Sequence, residues 1–178
     1  MIEEWDPDSS RWEADLNALA EVLHAVVRAG GCVSFILPFS LDEARAFWID
    51  KVLPGARSGA RRVLVARMED EIVGTVQLLL DMPPNQRHRA EVAKLLVHPK
   101  ARGRGVARAL MEAVEQVARA EGRTLITLDT RTGDSAEALY LSMGYIMVGV
   151  IPRYSRSVAG TELEAASVMY KELASVIV

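Results

Sequence analysis

The sequence predicts a mixed α/β (α+β) fold, with a central sheet of about seven strands flanked by helices. Two observations carry the prediction. An apolar, β-branched run at 92–97 leads into a long helical pattern and then a second such run at 125–130. That is a strand–helix–strand unit whose two strands lie parallel. Before it, two further runs joined by Glu69-Asp70 form an antiparallel hairpin, and two more strands close the chain.

Taken in order, residues 1–5 make a short first strand that Asp6-Pro7-Asp8 stops. Ser10 and Glu13 have capping-box spacing. Behind them Leu16, Leu19, Ala20, Leu23, Val26 and Val27 recur with a helical period as far as Gly30-Gly31, a C-terminal stop. Ser40 and Glu43 repeat the box and open a helix to about Leu53, before Pro54-Gly55. Phe35, Phe39, Phe47 and Trp48 are expected to pack helix on sheet, some of them walling a pocket if the helices cover one. The hairpin strands lie at 62–67 and 72–80, followed by a polar, solvated loop at 81–89. The helix after the central strand passes Leu110, Val114 and Val117 and ends at Gly122. Asp134 and Glu137 give a third capping pattern, on a short helix ending before Gly144. Residues 145–151 form a strand, 152–160 a loop and 165–170 a last strand. The terminal Val176-Ile177-Val178 is an apolar edge through which copies could pair, so monomer and homodimer both stay open.

The chain as a whole bounds the function. Its 178 residues are expected to form one domain, 1–178, large enough to bury a substantial core. Half the residues are hydrophobic, a quarter are charged and the net charge is −3. Wholesale nucleic-acid binding is therefore not expected, and any basic cluster is local. Cys32 is alone and His24, His88 and His98 lack ligand spacing, so neither a disulfide nor a metal is expected. There is no leader pattern and no membrane-length apolar run, which points to the cytoplasm and away from membranes.

The chemistry concentrates between Glu91 and Met111. His98-Pro99 ends the central strand, because proline lacks a ladder donor and restrains the residue before it. Then Arg102-Gly103-Arg104-Gly105-Val106-Ala107 runs into the helix. Glycines at such a junction let backbone N–H groups converge, and the helix start adds free N–H groups and partial positive charge. With Lys100 and Arg108 alongside, the junction suits a phosphate or pyrophosphate. The spacing is not that of a P-loop, which needs a Lys followed by Ser or Thr. Nor is it that of a dinucleotide fold, since Arg108 stands where the third glycine belongs.

These residues resemble the Gcn5-related N-acetyltransferase family. Its signature Gln/Arg-x-x-Gly-x-Gly/Ala is met by Arg102, Gly105 and Ala107, and its second motif by Ala136-Glu-Ala-Leu-Tyr140-Leu-Ser-Met-Gly144-Tyr145. Pieces around Ala90-Glu-Val, Leu128-Asp-Thr130 and Val148-Gly-x-x-Pro152-x-Tyr154 look particularly like the tabtoxin-resistance type. The resemblance spans roughly 62–171 and implies acetyl-coenzyme A as co-substrate. It implies that the pantetheine arm pairs with the strand holding Leu95, Leu96 and Val97. The pyrophosphate would sit on the N–H groups of Arg102, Gly103, Arg104, Gly105, Val106 and Ala107.

Acetyl transfer needs a neutral amine, donors for the tetrahedral oxyanion and help for the leaving thiolate. Glu91 and Asp129 are the candidate bases by that resemblance; alternatively Glu91 faces solvent, Asp129 orients a turn, or the pair merely binds a cationic amine. Tyr140 is the candidate acid at the sulfur, with packing as its alternative role, and Tyr145 is expected to pack. Lys94 is either solvated or paired with a carboxylate, and Arg153 and Tyr154 lie in a loop that could reach the acceptor. The expected function is N-acetylation of a small-molecule amine, such as an antibiotic or a tabtoxin-like β-lactam, by direct attack in a ternary complex. Protein or peptide acetylation and a non-catalytic acyl-coenzyme A sensor are the alternatives. The acceptor itself is not legible.

Overall fold

The computed structural model describes residues 1–173. Strand β1 (Ile2–Glu4) leads to helix α1 (Trp12–Arg28), then to a helical stretch comprising α2 (Leu41–Phe47), a π turn (Trp48–Val52) and α3 (Leu53–Ser58). The hairpin β2 (Arg61–Met68) and β3 (Glu71–Leu79) precedes the central strand β4 (Arg89–Val97). Helix α4 (Val106–Ala120), β5 (Leu125–Arg131), α5 (Ser135–Ser142), β6 (Ile146–Arg156) and β7 (Leu163–Glu172) complete the chain. The seven strands form one sheet in the order β1-β2-β3-β4-β5-β7-β6, in which only the β4–β5 pair is parallel. This is the mixed, seven-stranded sheet that the sequence predicts.

Each face of the sheet carries its own core. Leu64 and Ala66 of β2 turn toward α4 and α5, where Leu110, Met111 and Val114 are fully buried. Val63 and Val65, on the opposite face, meet α1 and the π turn through Leu16, Leu19, Leu23 and Trp48. The helical spacing of α1 thus marks its buried stripe, each large side chain being worth about 1.5–3 kcal/mol. Helix α1 closes on Gly30 (φ 86°): the Gly30 and Gly31 N–H groups bond back to Val27 and Val26 at 3.0 and 2.9 Å.

Several expectations are corrected. Ser10 does not cap α1; Arg11 holds that position without a side-chain bond, and the Trp12 N–H closes a backbone turn onto Ser9 at 3.1 Å. The Ser40–Glu43 box does form, but Pro54 does not stop the helix. It sits in the first turn of α3, where its missing N–H costs nothing, and Gly59 (φ 76°) makes the actual stop. Asp134 caps α5 through the Ser135 N–H, while Glu137 turns away to accept from Gly133 N–H and Ser167 Oγ. Strand β4 begins at Arg89, so the polar loop is shorter than expected and includes a 3-10 turn at Pro84–Gln86. Residues 152–156 belong to β6: this is an edge strand, where a proline is tolerated, and its register shifts between Ile151 and Ser155. The apolar segment 176–178 lies outside the described residues. Among those described, no helix is long and apolar enough to cross a membrane.

Candidate active site

Strands β4 and β5 pair only at Arg89–Leu125, Ala90–Ile126 and Glu91–Thr127, and diverge beyond that. The edge of β4 that would have met β5 is left open from Val92 onward. Opposite it, the β3–β4 register slips between Thr75 and Gln77, and Lys94 takes a positive φ of 52°. The slip exchanges the faces of β4. Ala90 and Val92 lie in the α4-side core, whereas Leu96, past the bulge, lies in the α1-side core, and Leu95 and Val97 now pack toward α4.

The open edge leads to the start of α4. Gly103 (φ 72°) and Gly105 (φ 77°) occupy left-handed backbone, and nothing lies within 4 Å of where a Cβ would stand on either. The first bond into the helix runs from Ala109 N–H to Gly105 O at 3.0 Å, and among the described residues no backbone acceptor meets the N–H groups of 103–108. These orphan donors, with the dipole of a 15-residue helix behind them, make a cradle that fits a pyrophosphate. Gly74 seats the helix. A Cβ there would stand 2.9 Å from Leu96 O and 3.1 Å from Val106 Cγ1.

A cavity of about 1230 Å³ runs along this opening. Leu95, Val97, Arg102, Gly103, Gly105, Val106 and Ala107 line it at one end, together with Tyr140. Arg104 does not line it, and the Leu96 side chain is buried on the far face, so any part Leu96 plays falls to its backbone. Glu91 and Asp129 line the middle. Glu91 stands opposite Thr127, and Asp129 is two residues further along the same face of β5. Glu91 is half-exposed, 3.7 Å from Arg89 Nη1. Tyr140 is buried, and burial, Asp129 and Asp134 together push its hydroxyl pKa well up. Tyr145 packs 5.6 Å from it in the core, as the resemblance implies.

The other end is walled by Phe35, Phe47, Arg61, Gln77, Lys94 and Tyr154. Phe39 and Trp48 are core residues, so the aromatics of this segment divide between packing and pocket. Cys32, remote from the motifs in sequence, also lines the cavity, with Sγ 3.7 Å from Ser155 Oγ. Lys94 is half-buried and, among the described residues, has no ion-pair partner: Nζ donates to Ser34 Oγ at 2.9 Å, and burial lowers its pKa. Arg61 and Gln77 carry no signal in sequence, since both sit in ordinary strand positions.

The splayed parallel pair, the open strand edge and the helix-start cradle define an acyl-coenzyme A transferase fold. The profile of the Acetyltransferase (GNAT) family matches residues 30–145, and the chain belongs to that family. It is 32% identical over 132 residues to N-acetyltransferase 8B of Rattus norvegicus, covering 66% of this chain and 60% of that protein. The fold is shared with a ribosomal-protein-alanine N-acetyltransferase from Brucella melitensis, with a TM-score of 0.76 at 24% identity over 97% of this chain and 99% of that one. It is shared also with the yncA protein of Salmonella typhimurium, solved with its cofactor acetyl-CoA: TM-score 0.74, 18% identity, 100% and 96% coverage.

Proposed function

We propose that the protein, as a single domain over 1–178, transfers the acetyl group of acetyl-CoA to the amine of a small molecule in a ternary complex. The observation that carries this is the opening between β4 and β5, which runs from the helix-start cradle to two carboxylates on one face of the sheet. The backbone N–H groups of 103–107 hold the pyrophosphate, the Arg102 N–H being turned onto Pro99 O at 3.4 Å instead, and the open edge at Leu95, Leu96 and Val97 pairs with the extended pantetheine arm. An N–H on that edge also faces the developing oxyanion.

Glu91 or Asp129 takes the proton that the amine loses as its nitrogen bonds to the acetyl carbon. The carbon–sulfur bond then breaks and the thiolate leaves. Tyr140 serves this step as a hydrogen-bond donor. Its raised pKa keeps the hydroxyl protonated, and full transfer to a thiolate of pKa about 8.5 would run uphill. No covalent intermediate is needed, and burial pushes the Cys32 thiol pKa up, away from the reactive thiolate. The cations at the acceptor end, Arg61 and Lys94, favour a small molecule over a basic protein tail. The antibiotic or toxin role suggested by the tabtoxin-type resemblance becomes one arm of an acceptor screen.

Acetyl-CoA at about a hundredfold its dissociation constant should stabilise the protein by about 2.7 kcal/mol, raising Tm by about 5–10 °C. Gly105→Glu puts a negative side chain on left-handed backbone inside the cradle and should abolish the shift. No shift in the wild type at millimolar acetyl-CoA would contradict the proposal.

A further inference from the structure

The acceptor end of the cavity is short of negative charge. Arg61 is half-buried, and its Nη1 donates to Gln77 Oε1 at 2.6 Å; among the described residues no carboxylate comes within ion-pair distance of it. Among the described residues, Lys94 has only the Ser34 hydroxyl as a direct partner. Lys94 feels Asp129 favourably and Arg61 unfavourably, and burial lowers the pKa of both cations. Arg61 and Lys94 thus line this end with two carboxylates, Glu91 and Asp129, of which Glu91 is already held by Arg89, a residue outside the lining, and exposed Lys51 adds a further positive charge.

Gln77 gives an independent sign. The side chain is wholly buried at the cavity wall, and because Arg61 donates to its oxygen, the amide nitrogen must be the other terminus. That Nε2 is buried and has no partner among the described residues. A buried donor left unmatched is costly, and here it lies beside a guanidinium that has no carboxylate partner among the described residues.

Register sets the spacing. Arg61 on β2 and Glu91 on β4 both pair with Leu79 on β3, so their backbones stand two strand spacings, roughly 9.5 Å, apart. The two long side chains reach into the same cavity across that separation.

We propose that Arg61, held by Gln77 Oε1, and Lys94 form a subsite for an anionic group, and that the acceptor is an amine carrying a carboxylate within a few bonds of its nitrogen. The inference rests on the transferase reading and specifies its substrate class. The carboxylate of such an acceptor docks on Arg61 and Lys94, which turns its amine toward Glu91 and Asp129. Phe35 and Phe47 wall the space left for the rest of the molecule.

The test compares matched pairs. Acetyl-CoA-dependent thiol release is measured for the proteinogenic L-amino acids, β-alanine and γ-aminobutyrate, each against its own carboxamide. At least one acid should show a kcat/KM at least thirtyfold above that of its amide. Arg61→Met should bring that ratio below threefold. Gln77→Glu should collapse it too, by supplying Arg61 with an internal carboxylate, and should melt at or above the wild-type temperature. Equal use of acids and amides, no thiol release with any acid, or an unchanged ratio in both variants overturns the subsite. Loss of the wild-type melting shift with acetyl-CoA would overturn the transferase reading and the subsite with it.

Discussion

Strand β2 carries an arginine at each end of its length, Arg61 and Arg67, and the two stand in opposite circumstances. Arg67 is 8% exposed and fully matched: Nε donates to Glu3 at 2.5 Å, Nη2 to Asp15 at 2.6 Å and Nη1 to the Asp70 carbonyl at 3.2 Å. Those contacts tie β1, α1 and the β2–β3 turn to one guanidinium. Arg61 faces the cavity and has a neutral amide as its side-chain partner. A buried charge with its full complement of partners holds elements together, whereas one left short is available to a ligand. The same residue type on the same strand is thus structural at one end and poised for binding at the other.

Substitutions should separate the two ends. At the cavity end, Glu91→Gln and Asp129→Asn should reduce turnover, about a hundredfold or more for whichever carboxylate takes the proton, while acetyl-CoA still raises Tm in both. Steady-state kinetics beside melting curves check this, and unchanged turnover in both variants would remove them as bases. Tyr140→Phe keeps the packing and loses one hydrogen-bond donor to the leaving sulfur, an effect of about tenfold on turnover.

The smallest effect belongs to the paired end. Arg67, by its hydrogen bond and its charge, holds the Glu3 carboxyl below its ordinary 4.5. A depressed carboxylate contributes stability that is present above pH 4.5 and lost as pH falls through the lower folded-state value. Glu3→Gln should therefore cost about 1 kcal/mol at pH 7, and the gap from wild type should close as pH drops below about 4. Denaturant melts across pH check the sign. A gap that widens in acid would show that Glu3 is not the partner.

How much of this is written in the sequence depends on how local the cause is. The Glu69-Asp70 turn, the parallel unit around α4 and the glycine stops at Gly30, Gly122 and Gly144 follow from residues within a few positions, and the structure has them. The Ser10 box fails although its spacing is right, because the helix starts one residue later, with Arg11 at the cap and the Trp12 N–H turned onto Ser9 O. Pro54 and Pro152 are misjudged for a related reason: a proline breaks an element only at positions where its N–H would have been used. The motifs locate the cradle and bring Glu91, Asp129 and Tyr140 to one cavity. The acceptor end is another matter. Arg61, Gln77 and Lys94 meet through the β2–β3–β4 register and the bulge at Lys94, and no single stretch of chain carries that information.

The most direct test of the contrast on β2 sets Arg61→Met beside Arg67→Met, with thermal stability and acceptor kcat/KM measured on the same preparations. Arg67→Met leaves Asp15 buried without its partner, and should lose about 3–5 kcal/mol, or roughly 6–20 °C in Tm. Arg61→Met removes a desolvated cation near Lys94 but leaves the buried Gln77 oxygen without its donor, and should cost about 1–3 kcal/mol, less than Arg67→Met, while acceptor kcat/KM falls at least tenfold. The reverse pattern, with Arg61→Met unstable and Arg67→Met defective mainly in turnover, would contradict the account.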